Sequence, residues 1–312
     1  MRLGSLDELS PAEARTLIVN VHTDLWATRA VLSALDLADM PVLLLNCDPT
    51  DESTRHFDAM IRAYDFDILD APLRRHGDML DWMFTNTSDE QLLLLDSDAE
   101  LRDAGFVTWM RTMLENPRVF GSGFTEGPFW MTEEWLAPRE SLLYMERPWV
   151  PCVLLRADAV RRALAAGRHF RELLVPNEIA FSRRASSLLA ARFPQPWGTR
   201  GTPFDRLPQR VRQRVSSWSL DQLRFARREY HSLRPKMACY DTGALVYEYL
   251  RFEEGLLFAG IDVELSAGQV HHYGGITRSS LFGPMPLDTL QHDVDAEVRE
   301  RLATRYGYDW AS

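Results

Sequence analysis

The sequence is poor in the features that mark several large classes of protein. Its three cysteines, Cys47, Cys152 and Cys239, lie far apart, so they form neither a disulfide framework nor a zinc-ligand spacing, as in proteins of reducing compartments. No stretch approaches the ~20 consecutive apolar residues of a membrane span, and the charged N-terminus lacks an apolar core of signal-peptide length. We therefore expect a cytoplasmic protein without a membrane span.

Lysine is also scarce, since Lys236 is the single lysine among 35 basic residues, which we attribute mainly to genome composition. A net charge of −10 argues against a protein that coats nucleic acid or an anionic membrane. The hydrophobic content of 46% and charged content of 26% are ordinary for a globular protein. The 312 residues suffice for one large α/β domain or two small ones.

Short apolar runs alternate with helical segments along the first half of the chain. Strands are predicted at 16–21, 41–46, 67–69, 118–121 and 149–155 and in the leucine run within 91–98, and helices at 28–37, 55–64, 76–85, 105–115 and 158–166. This alternation predicts an α/β fold, with a mostly parallel sheet flanked by helices. The polar turns that follow the strands would then meet at one edge of the sheet.

The run QLLLLDSD at 91–98 is the most informative stretch. Four consecutive leucines suit a strand that is buried on both faces, and residues two apart on an extended segment project to the same side. Asp96 and Asp98 can therefore point together at the strand's carboxyl end, where a divalent cation that also binds phosphate oxygens would neutralise them. The alternative is a polar loop whose Ser97 or Asp98 caps the next helix.

Two further polar turns follow predicted strands. Asp48, in the turn NCDPTD, could accept hydrogen bonds from a nucleobase or ribose, or could belong to a simple proline turn. In RRHGDMLD, Gly77 allows close backbone approach beside His76, and the N-terminus of the following helix attracts anions. The alternative there is a helix start with solvated arginines.

Two candidates lie near the C-terminus. The segment VHHYGGIT at 270–277 places a histidine before a flexible Gly-Gly, and such a histidine can supply a nitrogen ligand to a metal held by carboxylates. Asp241, in YDTG, either caps the helical run that follows or acts as a general base. Glu253 and Glu254 are rival bases, unless they form a solvated surface pair.

The second half of the chain is less regular. Residues 123–147 are rich in aromatics, proline and glutamate and are predicted to be irregular and partly exposed. Residues 197–236 hold ten basic residues against three acidic ones and include a helix-compatible stretch. A charge run is usually a solvated face, and the alternative is a mobile lid or acceptor platform whose arginines face phosphates.

The order of these motifs resembles the GT-A glycosyltransferases, especially the inverting family 2, which uses nucleotide-sugar donors. The resemblance extends roughly from residue 17 to residue 277, and its motifs are VNVHTD, LLLNCDPTD, RRHGDMLD, LLLLDSDAEL and HHYGGIT. It implies a GT-A, Rossmann-like fold with a basic helical insertion. It also implies one catalytic domain over 1–312, with a donor-binding half at 16–122 and an acceptor-binding half at 123–280 that contains 197–236.

The resemblance also implies roles for individual residues. Its DxD motif binds Mn²⁺ or Mg²⁺ together with the donor diphosphate, and the family's late His-x-Gly-Gly-x-Ser pattern is similar to the segment at 272–277. The implied metal ligands are Asp96, Asp98 and His272, and the implied donor-binding residues are Thr23, Asp48, His76, Gly77, Asp81, Asp96 and Ser97. The family's Glu-Asp pair with the catalytic base is not evident, and Asp241 is our substitute.

We therefore expect sugar transfer from a nucleoside-diphosphate sugar to a hydroxyl or amine of a small or soluble acceptor, with inversion favoured and retention left open. A sugar-phosphate nucleotidylyltransferase is the main rival, although the N-terminal region has no glycine-rich loop with a lysine. A haloacid-type phosphatase would carry its DxD near the chain start. A non-catalytic nucleotide-sugar binding protein is the third alternative.

Overall fold

The computed structural model describes residues 1–126, 129–132, 141–176, 237–272 and 288–310. Strands β1 to β14 in these ranges are Arg2–Leu3, Ala14–Val21, Val42–Cys47, Asp67–Ala71, Gln91–Asp96, Ala99–Leu101, Val119–Glu126, Phe129–Thr132, Ser141–Tyr144, Arg147–Arg156, Leu173–Pro176, Met237–Tyr240, Leu257–Asp262 and Val270–His272. Helices α1 to α7 are Asp24–Leu37, Asp51–Ala63, His76–Asn86, Ala104–Leu114, Ala157–Ala165, Ala244–Glu248 and Asp288–Tyr306. Helix α6 continues into a wider turn at Tyr249–Glu253, and short 3₁₀ helices occupy Leu6–Glu8 and Val263–Gly268.

The main sheet has eight strands in the described part of the chain, in the order β1-β4-β3-β2-β5-β10-β7-β13. Strand β10 is antiparallel to its neighbours β5 and β7, whereas the other neighbouring pairs are parallel. The prediction of a mostly parallel sheet flanked by helices is confirmed, and the architecture is Rossmann-like. Two smaller sheets have the orders β11-β12-β9-β8 and β14-β6.

Strand β5 is buried on both faces, as its four leucines predict. Leu93 and Leu95 join the apolar layer that contains residues of α1, α2, α4 and α7. Leu92 and Leu94 join the opposite layer, with residues of α3, α5 and α6. Because helices cover both faces of the sheet, a continuous apolar run is needed in its centre rather than an alternating one.

Most predicted elements are present, but their boundaries differ. Helix α2 begins at Asp51 rather than at 55, because Thr50 is its N-cap and the Thr50 hydroxyl accepts a hydrogen bond from the Ser53 amide. Helix α1 begins at Asp24 rather than at 28. N-caps that fall on polar turn residues are easily read as part of the loop from the sequence.

The expectation of an irregular, partly exposed stretch over 123–147 was wrong at its start. Strand β7 continues to Glu126, and Phe124 is fully buried. Its ring stacks on Phe106 at a centroid distance of 4.6 Å and meets Trp149 edge-on at 5.7 Å. Residues 129–132 and 141–144 also form strands, whereas 133–140 lie outside the described residues, as does the basic segment 197–236.

No described helix combines the length and the apolar character needed to cross a bilayer.

Candidate functional site

The DxD motif lies at the carboxyl end of β5, in the centre of the sheet. Asp96 is the last residue of β5, and β6 begins at Ala99 after a two-residue turn. Strand β6 pairs antiparallel with β14, and this pairing sets Ala99 opposite His272. The short β6–β14 ladder therefore brings a late histidine to the DxD motif.

Asp96, Asp98 and His272 form a compact cluster. The Nε2 atom of His272 lies 3.1 Å from Oδ1 of Asp98 and 4.0 Å from Oδ2 of Asp96. One ligand atom from each residue lies within 4.8 Å of those of the other two. Adjacent ligands of an octahedral ion with bonds of about 2.1 Å are roughly 3 Å apart, so small side-chain shifts would place all three around one ion.

The chemistry of this cluster fits a hard or borderline divalent cation. Two carboxylates and one imidazole suit Mn²⁺, and carboxylates with added water and phosphate oxygens suit Mg²⁺. Burial raises the pKa of Asp96, and the nearby Asp98 carboxylate raises it further, against the opposing charges of His76, His272 and Arg147. A bound cation would relieve this accumulation of negative charge.

The electrostatics of His272 depend on the same neighbours. Burial lowers its pKa, but the hydrogen bond to Asp98 and the charges of Asp98 and Asp96 raise it, and the net result is a pKa above the usual value. The ring also meets Trp149 edge-on at a centroid distance of 5.2 Å. These contacts fix the ring with Nε2 directed at the carboxylates.

Thr23 and Ser97 are buried beneath the cluster. Their hydroxyl oxygens are 2.9 Å apart, and the amide and hydroxyl of Thr23 both donate to Oδ1 of Asn20. Asn20 in turn donates to Asn46 at 2.9 Å. This network ties together the carboxyl ends of β2, β3 and β5, whereas contact of Thr23 and Ser97 with a donor stays a prediction.

Asp48 follows β3 and faces His22, which follows β2. Their side chains meet at 3.1 Å between Nε2 and Oδ2, and both residues have left-handed backbones, with φ of 53° for His22 and 54° for Asp48. Such conformations cost of order 1–3 kcal/mol in a non-glycine residue and concentrate at functional sites. His22 was missed, and the signal that could have found it is its place directly after the first strand predicted from the sequence, which corresponds to β2.

His76 lies at the site, whereas Gly77 and Asp81 contact the chain itself. The Nε2 atom of His76 is 3.8 Å from Oδ1 of Asp96. A Cβ on Gly77 would lie 2.8 Å from the backbone of Phe170, and Asp81 accepts a hydrogen bond from the Phe170 amide at 2.9 Å. The contacts of Gly77 and Asp81 hold the segment after α5 against α3, and a role of either residue in donor binding stays a prediction.

Gly77→Ala is expected to destabilise the fold by about 1–3 kcal/mol, because the added methyl group overlaps backbone atoms that cannot rotate away. This change in stability is opposite in sign to the gain of about 0.5–1 kcal/mol that usually follows when alanine replaces a glycine within a helix. Urea denaturation measures the difference. The control is Gly268→Ala, where a Cβ has nothing within 4 Å, and an equal effect of both variants would contradict the packing argument.

Asp241 lies in an ionic cluster with Arg147 and Glu126. An Nη2 atom of Arg147 is 2.8 Å from Oδ2 of Asp241 and also 2.8 Å from Oε2 of Glu126. The positive charge of Arg147 lowers the pKa of Asp96, although the net shift of that pKa is upward. The guanidinium therefore lies within electrostatic range of the metal cluster. Arg147 was missed, because an isolated arginine in MERPW carries no motif.

The rival bases are engaged elsewhere. Glu253 forms an ion pair with Arg168 at 3.1 Å, and Glu254 forms one with Arg162 at 3.0 Å. These ion pairs link the turn after α6 to Arg162 in α5 and to Arg168, which follows α5. Asp241 is paired with an arginine as well, and the choice of base among these three carboxylates stays a prediction.

No protein-family model matches the chain, and no curated protein matches it. Among solved structures the chain is similar to S. aureus TarS 1-349, with 9% identity and a TM-score of 0.35. The match covers 51% of this chain and only half, 50%, of the TarS chain. The same TarS fragment in complex with UDP-GlcNAc matches with 10% identity and a TM-score of 0.35, over 51% of this chain and 48% of that one. A 4-diphosphocytidyl-2C-methyl-D-erythritolsynthase from Anaerococcus prevotii matches with 7% identity and a TM-score of 0.33, over 49% of this chain and 74% of that one. Each likeness covers about half of this chain and concerns the fold alone.

Proposed function

We propose that the protein is a metal-dependent glycosyltransferase that moves a sugar from a nucleoside-diphosphate sugar to a hydroxyl or amine acceptor, with inversion at the anomeric carbon. The observation that carries the proposal is the convergence of Asp96, Asp98 and His272 within 4.8 Å, at the edge where open α/β sheets bind ligands. The left-handed pair His22 and Asp48 lies at the ends of the next two strands of the same sheet.

Each part of this edge has a role in the proposal. Asp96, Asp98 and His272 would hold Mn²⁺ or Mg²⁺, which when bound supplies Lewis-acid stabilisation of charge on the leaving diphosphate. Asp48 offers a carboxylate to the base or ribose of the donor, with His22 beside it. The first turn of α3, which starts at His76, presents backbone N–H groups that favour an anion.

Asp241 is the proposed general base. In the transfer, the acceptor oxygen or nitrogen forms a bond to the anomeric carbon while the bond from that carbon to the diphosphate breaks, and Asp241 takes the acceptor's proton. Arg147 contacts Asp241 at 2.8 Å, and the Thr242 amide donates to its other carboxylate oxygen at 2.7 Å. Asp241 thus has a defined orientation before an acceptor binds.

The proposal predicts a metal-dependent thermal shift with one nucleoside diphosphate. Melting of the protein with UDP, GDP or dTDP, each with and without Mn²⁺, should show stabilisation of about 2.7 kcal/mol by the matching nucleotide at 100 times its dissociation constant. The nucleotide that stabilises the protein identifies the base of the donor. No shift with any diphosphate in the presence of Mn²⁺ would contradict the site as proposed.

An activity assay separates the rival functions. Release of nucleoside diphosphate from the matching nucleotide sugar, in the presence of hydroxyl and amine acceptors and Mn²⁺, supports the glycosyltransferase. Release of pyrophosphate from a nucleoside triphosphate and a sugar 1-phosphate would instead identify a nucleotidylyltransferase. Metal-dependent binding of the nucleotide sugar without either product would identify a binding protein.

A further inference from the structure

Glu100 is a buried carboxylate two residues after the metal ligand Asp98. Its side chain is 1% exposed, and a buried charge is stable only when it is paired and hydrogen-bonded. Two hydrogen bonds come from α7, since Arg301 Nε donates to Oε1 of Glu100 at 2.8 Å and the Tyr306 hydroxyl donates to the same oxygen at 2.9 Å. Arg102 lies on the other side, with its Nε 3.7 Å from Oε2. The two hydrogen bonds from α7 attach the C-terminal helix to the strand that follows the DxD motif.

Through β6, the contact between α7 and Glu100 also reaches β14, the strand that carries His272. Glu100 lies opposite His271 in the β6–β14 ladder, one step from the pair of Ala99 and His272. Arg102, directly after β6, contacts Nδ1 of His271. Asp98 directly precedes β6 and His272 is the last residue of β14, so a displacement of Glu100 would be transmitted to both through this ladder.

Helix α7 is itself well anchored. Val298 and Leu302 are fully buried in the core layer that contains α1, and Asp295 accepts a hydrogen bond from Trp26 of α1 at 3.0 Å. From the same helix α1, Arg29 donates to the backbone oxygen of Asp98 at 3.0 Å. Helices α1 and α7 thus hold the β6 strand between them.

We propose that α7 positions the metal ligands of this protein, with Arg301 acting through Glu100 as a positioning residue. The proposal rests on the proposed metal site. Groups that orient the ligands of a metal typically change its affinity by about 10–100-fold when they are removed. Arg301 contacts Glu100 and is not itself one of the proposed ligands, so its positioning effect should appear in metal affinity and not only in stability.

The test is Mn²⁺ affinity, measured from the EPR signal of free Mn²⁺, on the full chain at a temperature where circular dichroism shows every variant folded. Arg301→Gln is expected to bind Mn²⁺ about 10–100-fold more weakly than the unaltered chain. The control is Arg299→Gln, which changes an exposed arginine of the same helix and, as a surface substitution, should alter the affinity less than about twofold.

A second variant covers the case in which Arg301→Gln does not fold. Glu100→Gln keeps the shape of the side chain but removes the charge that Arg301 binds, and it should also weaken Mn²⁺ binding, by at least about threefold. Unchanged affinity in the folded variants would overturn the positioning role while the metal site stands. No Mn²⁺ binding by the unaltered chain would overturn the metal site and this inference together.

Discussion

Asp98→Asn should lower metal-dependent sugar transfer by about 10³-fold and abolish the Mn²⁺-dependent thermal shift with the nucleoside diphosphate. The side chain of Asp98 is 5% exposed, and its Oδ1 lies 3.1 Å from Nε2 of His272. Asparagine keeps the shape but loses the charge that a hard cation requires. The loss of several kcal/mol of charge stabilisation, at 1.36 kcal/mol for each factor of ten, corresponds to this decrease.

The matched control is Asp103→Asn, the same substitution five residues later. Asp103 is the N-cap of α4 and accepts a hydrogen bond from the Gly105 amide at 2.8 Å, a role that asparagine fills equally well. Its activity and its Mn²⁺ response should equal those of the unaltered chain. If Asp98→Asn binds Mn²⁺ and nucleotide as tightly as Asp103→Asn does, the metal site does not include Asp98.

Arg15→Met should destabilise the protein by about 3–5 kcal/mol, because it leaves a buried carboxylate without its cation. Arg15 and Asp89 are 2% and 1% exposed, and Nε of Arg15 lies 2.6 Å from Oδ2 of Asp89. Asp89 also accepts from the Ala12 amide at 2.7 Å. The pair joins the start of β2 to the turn before β5, at the sheet edge opposite the candidate site.

The comparison for this prediction is Arg162→Met, measured by urea denaturation under the same conditions. Arg162 forms a solvated pair with Asp158, whose side chains are 47% and 62% exposed, and it also contacts Glu254. Such surface pairs contribute about 0–1 kcal/mol. A cost for Arg15→Met no greater than that for Arg162→Met would show that the buried pair is not needed for stability.

The order of strands and helices was predictable because it depends on local pattern. The leucines at 92–95 and the apolar run of β3 can be buried on both faces only in a covered parallel sheet, and this is where they lie. The error at the start of 123–147 arose because aromatics, glycine and proline together resemble a loop. Contacts of Phe124 with Phe106 and Trp149 hold that stretch in the sheet, and these partners are distant in sequence.

The candidate site was predictable in part. Asp96 and Asp98 follow from their spacing at a strand end, and the resemblance to a known family pointed to His272. The residues that orient the cluster or lie beside it, namely His22, Arg147 and Arg301, belong to no motif. The local sequence pattern indicated which residues could take part in catalysis or metal binding. It did not indicate which other side chains these residues would contact.

The sequence by itself determined the α/β class with a mostly parallel sheet and the place of the two carboxylates at the end of β5, because side-chain alternation and apolar runs act over a few residues. The tertiary structure decided that β14 pairs with β6 and sets His272 beside Asp98. It also decided that Gly77 and Asp81 contact the backbone of Phe170 and that α7 reaches Glu100. The physical reason is that strand pairing and burial of charge join residues far apart in the chain, so their partners are settled only when the whole fold forms.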